Sequence, residues 1–340
     1  MLEKETRTHI DKRLRAFGWD THDHRKVLLE YQIGELFADY ALLDSDGTVI
    51  AVVEAKKFAR NARDGQFQAL EYAKIIETRQ RYRPFVFLSN GRELFFYDTG
   101  RETSPRKVKS FFTLSDLRRM RELGKIQVPP TSAKVDANIA GRYYQQEAIK
   151  RVVEGMEQGK RDFLLVMATG TGKTRTAMGL MDVLFRTYHA QKILFLTDRT
   201  VLRDQAADDG FAAYFKNTPK TRIETGKTDG NARLFSATYQ TMIHHLDDFS
   251  SGFFDLVIVD EVHRSIYGEW KAIIEHFDCH KVGLTATPVQ FVDRSTYRTF
   301  GCEDGDPTYS YGMDRAVSDT FLVPYRVLMA RTRFQIQGIK

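Results

Sequence analysis

Met167-Ala-Thr-Gly-Thr-Gly-Lys-Thr174 follows the apolar run DFLLVM (Asp162–Met167) and precedes a helical pattern. Its position between a strand and a helix decides the fold of the chain's larger part. A phosphate group needs several backbone N–H groups turned inward, and glycine allows so tight a turn. Gly170 and Gly172 supply that freedom, with Thr169 and Thr171 between and beside them. The following helix adds the positive end of its dipole. Lys173 is placed to reach β/γ-phosphates and Thr174 to ligate Mg²⁺. The strict pattern opens on glycine, where this chain has Met167.

Outward from this loop, apolar runs alternate with helical patterns: RYYQQEAIKRVVEGM, DFLLVMA, KILFLTD, RLFSATY, FDLVIVDE and KVGLTATP. Solid apolar strands separated by helices predict a parallel sheet covered on both faces, an α/β architecture. In VIVDEVH (Val257–His263), four core residues end in two acids, at the strand end where open α/β sheets bind ligands. Asp260 is placed to hold Mg²⁺ largely through water. Glu261 is placed to polarise an attacking water.

The ordered series resembles the superfamily 2 helicases and translocases. Arg142–Gln145 looks like the adenine-reading segment, with Gln145 on the base. ATGTGKT matches motif I, FLTDRTVLRDQ (Phe195–Gln205) motif Ia, and ATYQTM (Ala237–Met242) the motif Ic region. DEVH matches motif II, and GLTATP (Gly283–Pro288) motif III. The resemblance implies an ATP-binding RecA-like domain with Arg199, Gln205, Thr238 and Gln240 near a nucleic-acid track. It also implies that Thr285 and Thr287 couple nucleotide state to movement. Nothing after Pro288 resembles motifs IV to VI of a second RecA-like domain. The expectation is a fragment that binds ATP and hydrolyses it poorly by itself.

The first third of the chain has its own pattern. A helix with Ile10, Leu14 and Phe17 leads into GELFADYALL and TVIAVVEAKK, two strands joined at Asp44–Gly47. A helix over Gln66–Glu77 and the strands FVFLSN and ELFFYD follow. Side chains alternate along a strand, so Glu54 and Lys56 share a face. Asp39 in the preceding strand can meet Glu54 across the pair and hold Mg²⁺ with it. Lys56 is then placed to activate water for phosphodiester hydrolysis. This constellation resembles the PD-(D/E)xK nucleases, with Ala38 where the family has proline. Gln68 and Tyr72, one turn apart on the next helix, resemble the extra motif of RecB-like nucleases and restriction subunits. By that resemblance they lie beside the metal or the DNA backbone.

A nuclease pattern followed by this motor pattern resembles the restriction (R) subunit of type I restriction-modification enzymes. The expected organisation is a restriction-endonuclease-like mixed-sheet domain over 1–126, a linker over 127–141, and the first RecA-like domain over 142–340. The implied activity is ATP-driven translocation on double-stranded DNA with Mg²⁺-dependent cleavage away from the recognition site. The implied partners are methyltransferase (M) and specificity (S) subunits. Two alternatives stay open: a stand-alone ATP-dependent nuclease-helicase, type III-like or for phage defence, and a nucleotide-gated DNA clamp with an inactive nuclease.

The 340 residues suit two domains. Hydrophobic residues at 42% and charged residues at 28% argue against wholesale disorder. Two separate cysteines, Cys279 and Cys302, argue against a disulfide framework or thiolate zinc site. No apolar run approaches the roughly 20 residues of a membrane span, and the polar start is no secretory signal. A cytoplasmic protein is expected. Of the net charge of +6, five units fall within residues 1–130, densest near Arg101, Arg106, Lys107, Lys109, Arg118 and Arg119. That cluster reads either as a solvated surface or as a phosphate-facing one.

Overall fold

The computed structural model describes residues 3–56, 61–80, 82–224, 229–262, 271–288, 290–291 and 294–324. His263, and the end of DRAVSDTFLVPYRV beyond Pro324, lie outside them.

The chain builds a mixed sheet and a parallel sheet, the α/β combination expected. The first sheet runs in sequence order through β1 (Val27–Ile33), β2 (Leu36–Leu43), β3 (Val49–Ala55), β4 (Phe85–Ser89), β5 (Leu94–Tyr97) and β6 (Arg106–Lys107). Only β3 and β4 pair in parallel, because α2 (Gln66–Gln80) crosses between them. Tyr72, Ala73 and Ile76 of α2 pack with Val52, Val86 and Leu88. Ile10 and Leu14 of α1 (Glu3–Ala16) and Leu117 of α3 (Leu114–Ile126) pack with Val53, Phe87 and Phe96. Helices thus cover both faces. The strand β1 was not anticipated: it pairs with β2 through a two-residue turn at Gly34-Glu35, and Gly34 has φ +68°.

The second sheet orders as the strand Tyr309–Tyr311, β7 (Asp162–Met167), β12 (His280–Thr285), β11 (Leu256–Asp260), β8 (Ile193–Thr197), β10 (Leu234–Thr238) and β9 (Lys220–Arg222). Every pairing in it is parallel. Helices α4 (Tyr143–Glu157) and α5 (Lys173–Arg186) cover one face through Ile149, Val152, Leu180 and Leu184. On the other face Leu194, Phe235, Val257 and Val259 pack with Phe254 and Phe277. Residues 127–141 lie against this second body: Pro130, Ile139 and Ala140 are buried, and Val128 N–H donates to the Thr187 carbonyl at 3.3 Å.

The two bodies meet at the N-terminal ends of β11 and β12. Arg106 donates two hydrogen bonds to Asp278, at 2.9 and 2.7 Å, and Arg161 adds a third at 3.0 Å. Arg119 donates to Asp116 and Asp255, each at 3.1 Å, and to the Gly252 carbonyl. Ser250 donates to Asp116 at 2.5 Å. Phe112 lies so close to Gly252 that a Cβ there would fall 2.7 Å from its ring.

This takes Arg106 and Arg119 out of the phosphate-facing reading of the basic cluster. Arg106 and Arg119 are consumed by the interface, and Arg118 pairs with Asp44. Lys107 and Lys109 pair with Glu93 and Glu275, and Arg101 bonds Gln127 and the Gly124 carbonyl. Burial of a guanidinium requires a carboxylate partner, so Arg106 and Arg119 face protein, while Lys107 and Lys109, at 60% and 53% side-chain exposure, stay solvated.

Burial would raise the Asp278 carboxyl, but Arg161 and Arg106 outweigh it and hold that group well below the usual carboxylate range. Its contribution to stability is therefore complete above about pH 4 and is lost only as pH falls through the depressed value. Asp278→Ala leaves two arginines facing one another without their carboxylate. It is expected to cost about 3–5 kcal/mol, read as a lowered denaturant midpoint. An unchanged midpoint would show that the contact holds nothing together.

Candidate functional site

All the motor-type residues lie along one rim of the second sheet, the C-terminal ends of its strands. The registers Thr238↔Thr197, Val259↔Leu196, Asp260↔Leu284 and Thr285↔Val166 align those ends side by side. The contact with the first body is at the opposite ends. Strands of five residues at about 3.3 Å per residue separate the two by about 17 Å.

The loop after β7 has the geometry its glycines predict. Gly170 and Gly172 have φ +85° and +87°, in the left-handed region that disfavours side chains, and Gly172 caps α5. Thr169 and Gly170 are exposed, and Thr171 is buried with its hydroxyl donating to the Ala168 carbonyl at 2.6 Å. Lys173 heads α5, its Nζ 3.7 Å from Glu261, and Thr174 follows half-buried. Asp260 is pushed up to about 6 by burial and by Glu261, against the pull of Lys173. Its carbonyl accepts the Tyr239 hydroxyl at 2.7 Å. Glu261 has φ +52°, a left-handed conformation unusual for a side-chain-bearing residue and frequent where function demands it.

Gln145 is buried against the loop. Its amide donates to the Thr171 carbonyl at 3.1 Å, and its carbonyl accepts Arg142 N–H at 3.2 Å. In this arrangement it supports the loop; contact with a base requires those bonds to exchange. An aromatic group underneath was missed in the sequence. Tyr144 stacks on Tyr311 at 3.9 Å, meets Phe321 edge-on at 5.1 Å, and donates to the Thr171 carbonyl at 2.9 Å.

Arg199 is exposed just ahead of α6 (Thr200–Gln205), and Gln205 ends that helix. Thr238 is buried and accepts Thr241 N–H at 3.2 Å, capping the short helix Tyr239–His244; Gln240 is exposed. Thr285 is buried and accepts Thr287 N–H at 3.1 Å, and Thr287 is exposed.

The second cluster lies in the first body. The β2–β3 register, with Tyr40↔Val53 and Ala41↔Val52, sets Asp39 opposite Glu54. Asp39 Oδ2 accepts Ala55 N–H at 2.8 Å. Lys56 Nζ donates to Glu54 Oε1 at 2.8 Å and to Gln68 Oε1 at 3.3 Å. The Gln68 amide donates to the Tyr72 hydroxyl, which donates to the Phe37 carbonyl at 2.6 Å. Burial pushes the Tyr72 phenol up to about 12, so it stays a neutral donor. All five sequence-selected residues therefore converge.

Among the described residues Glu54 Oε2 is buried with no hydrogen-bond partner, and burial and Asp39 raise its carboxyl against the pull of Lys56. An orphaned buried carboxylate oxygen suits a hard cation. Among the described residues no group of three or more His, Cys, Asp or Glu side chains is placed to hold a metal, so the centre offers two carboxylates. Mg²⁺ accepts that number, because it keeps several of its waters.

Two neighbours went unnoticed in the sequence. Arg7 of α1 donates to Asp39 Oδ1 at 3.1 Å. At Gly65 a Cβ would stand 2.6 Å from Glu54 Cγ and 2.9 Å from Lys56 Cε. Gly65→Ala is therefore expected to displace both side chains and cut nuclease turnover about 100-fold, the order a displacement near 1 Å costs. Nucleotide binding should be unchanged. Full cleavage by this variant would mean that the cluster's geometry is not critical.

Residues 138–290 match the family described as Type III restriction enzyme, res subunit. The chain is 32% identical to the EcoAI type I restriction enzyme endonuclease subunit of Escherichia coli, over 88% of this chain and 38% of that protein. It is 26% identical to the EcoKI endonuclease subunit of Escherichia coli K12, over 95% of this chain and 35% of that one. A solved structure described as an HsdR-subunit fragment of a type I restriction enzyme from Vibrio vulnificus YJ016 is 28% identical. That likeness covers 94% of this chain and 61% of the other, with a TM-score of 0.44. The chain thus spans little more than a third of the curated relatives. Among the described residues no helix is long and apolar enough to cross a membrane.

Proposed function

We propose, from the premise that this chain is homologous to type I restriction enzyme endonuclease subunits and carries a Res-type segment, that it is the nuclease and motor portion of such a subunit. It would move double-stranded DNA with ATP and cut it away from the recognition site, joined to methyltransferase and specificity subunits. One observation carries the reading: a phosphate-binding loop and an Asp39–Glu54–Lys56 centre stand in one chain, on separate sheets. The domain limits proposed are 1–126 for the nuclease, 127–141 for the connection and 142–340 for the first RecA-like unit.

At the motor rim, Gly170 and Gly172 would present N–H groups to the phosphates of ATP beside Thr169 and Thr171, the latter's N–H bonding the Ala168 carbonyl at 3.2 Å, and Lys173 would donate to the outer phosphates. Thr174 and Asp260 would hold Mg²⁺, which neutralises phosphate charge. Glu261 would orient the attacking water. Gln145 would read adenine after releasing the loop. Arg199, Gln205, Thr238 and Gln240 would lie along the DNA, and Thr285 and Thr287 would relay nucleotide state. A motor that accepts every sequence grips phosphates rather than base edges.

At the nuclease centre, Asp39 and Glu54 would hold Mg²⁺, whose charge stabilises the phosphodiester during hydrolysis. Lys56 would orient or deprotonate the attacking water. Gln68 would fix the Lys56 ammonium, and Tyr72 would fix Gln68. Absence of any cleavage that depends on Asp39, Glu54 and Lys56 would instead favour the DNA-clamp reading.

Purification of the full-length native protein, with mass spectrometry of what accompanies it, tests the assembly. Stoichiometric methyltransferase and specificity subunits are expected. A protein that purifies alone yet cuts DNA with ATP and Mg²⁺ would replace the type I reading with a stand-alone nuclease-translocase.

A further inference from the structure

The Asp39 carboxylate already has both oxygens engaged. Oδ2 accepts Ala55 N–H and Oδ1 accepts Arg7 at 3.1 Å. The same guanidinium gives its other branch to Glu30 Oε1 at 2.9 Å. Arg7 therefore spans two carboxylates, Asp39 at 20% and Glu30 at 65% side-chain exposure.

The placement of Glu30 is unusual. The β1–β2 ladder pairs Leu29 with Tyr40 and Tyr31 with Ala38, and skips the intervening position, where Glu30 faces Asp39. Glu30 has φ +48°, left-handed for a residue with a side chain, inside a strand. Such conformations persist only where surrounding contacts hold them. Here one pairing is skipped within a continuous strand beside the nuclease carboxylate, and the left-handed residue carries a second carboxylate to the arginine that covers it.

We infer that Arg7 is the internal counter-ion of the nuclease centre: it neutralises Asp39 while no cation is bound, and a divalent cation displaces it toward Glu30. This rests on the reading of Asp39 and Glu54 as a divalent-cation site. Two carboxylates with no cation repel each other, and a guanidinium on one relieves that. A cation near Asp39 meets the positive charge of Arg7 at close range, so the same residue weakens cation binding. Glu30 gives Arg7 a second place to go, so displacement does not strand a guanidinium. Arg7 is a positioning residue here: it acts on the cation through Asp39.

The test uses Mn²⁺ added to the full chain without nucleotide or DNA, with free ion counted by electron paramagnetic resonance. A site lost in Asp39→Asn marks the nuclease centre. Arg7→Ala is expected to bind Mn²⁺ there about 10-fold tighter, the opposite of what a merely structural loss would do. Arg7→Lys, which keeps the charge but not the fork, should fall between. Glu30→Gln is expected to weaken binding several-fold in the wild-type background and to have no effect beside Arg7→Ala. Unchanged or weaker binding in Arg7→Ala, with the fold intact by circular dichroism, would overturn the inference. So would a Glu30→Gln effect that persists without Arg7. Absence of any Asp39-dependent Mn²⁺ site would overturn the cation reading of the centre itself, a separate and distinguishable failure.

Discussion

Lys173→Ala is expected to weaken ATP binding about 10–100-fold, from loss of charge-assisted hydrogen bonds worth about 1.5–3 kcal/mol together. In the assembled enzyme it should abolish ATP-dependent cutting. The side chain starts the helix after the phosphate loop, 11% exposed, with Glu261 3.7 Å away. That separation is a loose ion pair, which a γ-phosphate can take over. The loop itself should survive, because Gly170 and Gly172 set its path and Tyr144 and Gln145 bond the Thr171 carbonyl from below. Nucleotide titration followed by fluorescence checks this. ATP affinity equal to wild type would remove Lys173 from the phosphate site.

Lys56→Ala acts at the other centre. Removing a positioned proton-transfer group costs about 10²–10⁴ in rate, so strand cleavage should fall by that order. The substitution also withdraws the hydrogen bond to Glu54 Oε1 and leaves both oxygens of a buried carboxylate without the lysine. Among the described residues Lys56 bonds Glu54 and Gln68, both in the first body, and neither the strand end that carries Asp260 nor the one that carries Thr285. Counting nicked and linear forms of circular duplex measures the effect, and cleavage within a few-fold of wild type would strip Lys56 of its role.

The five central strands of the parallel sheet were legible because they are largely apolar runs leading into polar motifs such as Thr197, Thr238, Asp260 and Thr285; the edge strands Lys220–Arg222 and Tyr309–Tyr311 were not, being short and polar. The neighbouring of Asp39 and Glu54 was legible because the Asp44–Gly47 turn joins β2 to β3, but their direct facing depends on a one-residue register shift between Leu42 and Leu43 that no sequence pattern announces. The edge strand β1 was harder to read. Leu29, Tyr31 and Ile33 alternate with Glu30 and Gln32, but Leu28 departs from the pattern and the alternating run is only five residues long. Arg7 gave no local signal, since its partner lies 32 residues away on another element. Gly65 likewise matters only through the approach of β3 side chains, which no local pattern encodes. The basic cluster near Arg106 and Arg119 misled for a related reason. Charge density along a chain is blind to acids such as Asp255 and Asp278, far away in sequence, that neutralise it.

The most direct test supplies the assembled enzyme with ATP, Mg²⁺ and circular duplex DNA, and reads phosphate release and strand breaks in one reaction for Lys56→Ala. Two separate phosphate centres predict that phosphate release continues near the wild-type rate while strand breaks disappear. Loss of both together, in a folded protein, would contradict the separation of motor and nuclease.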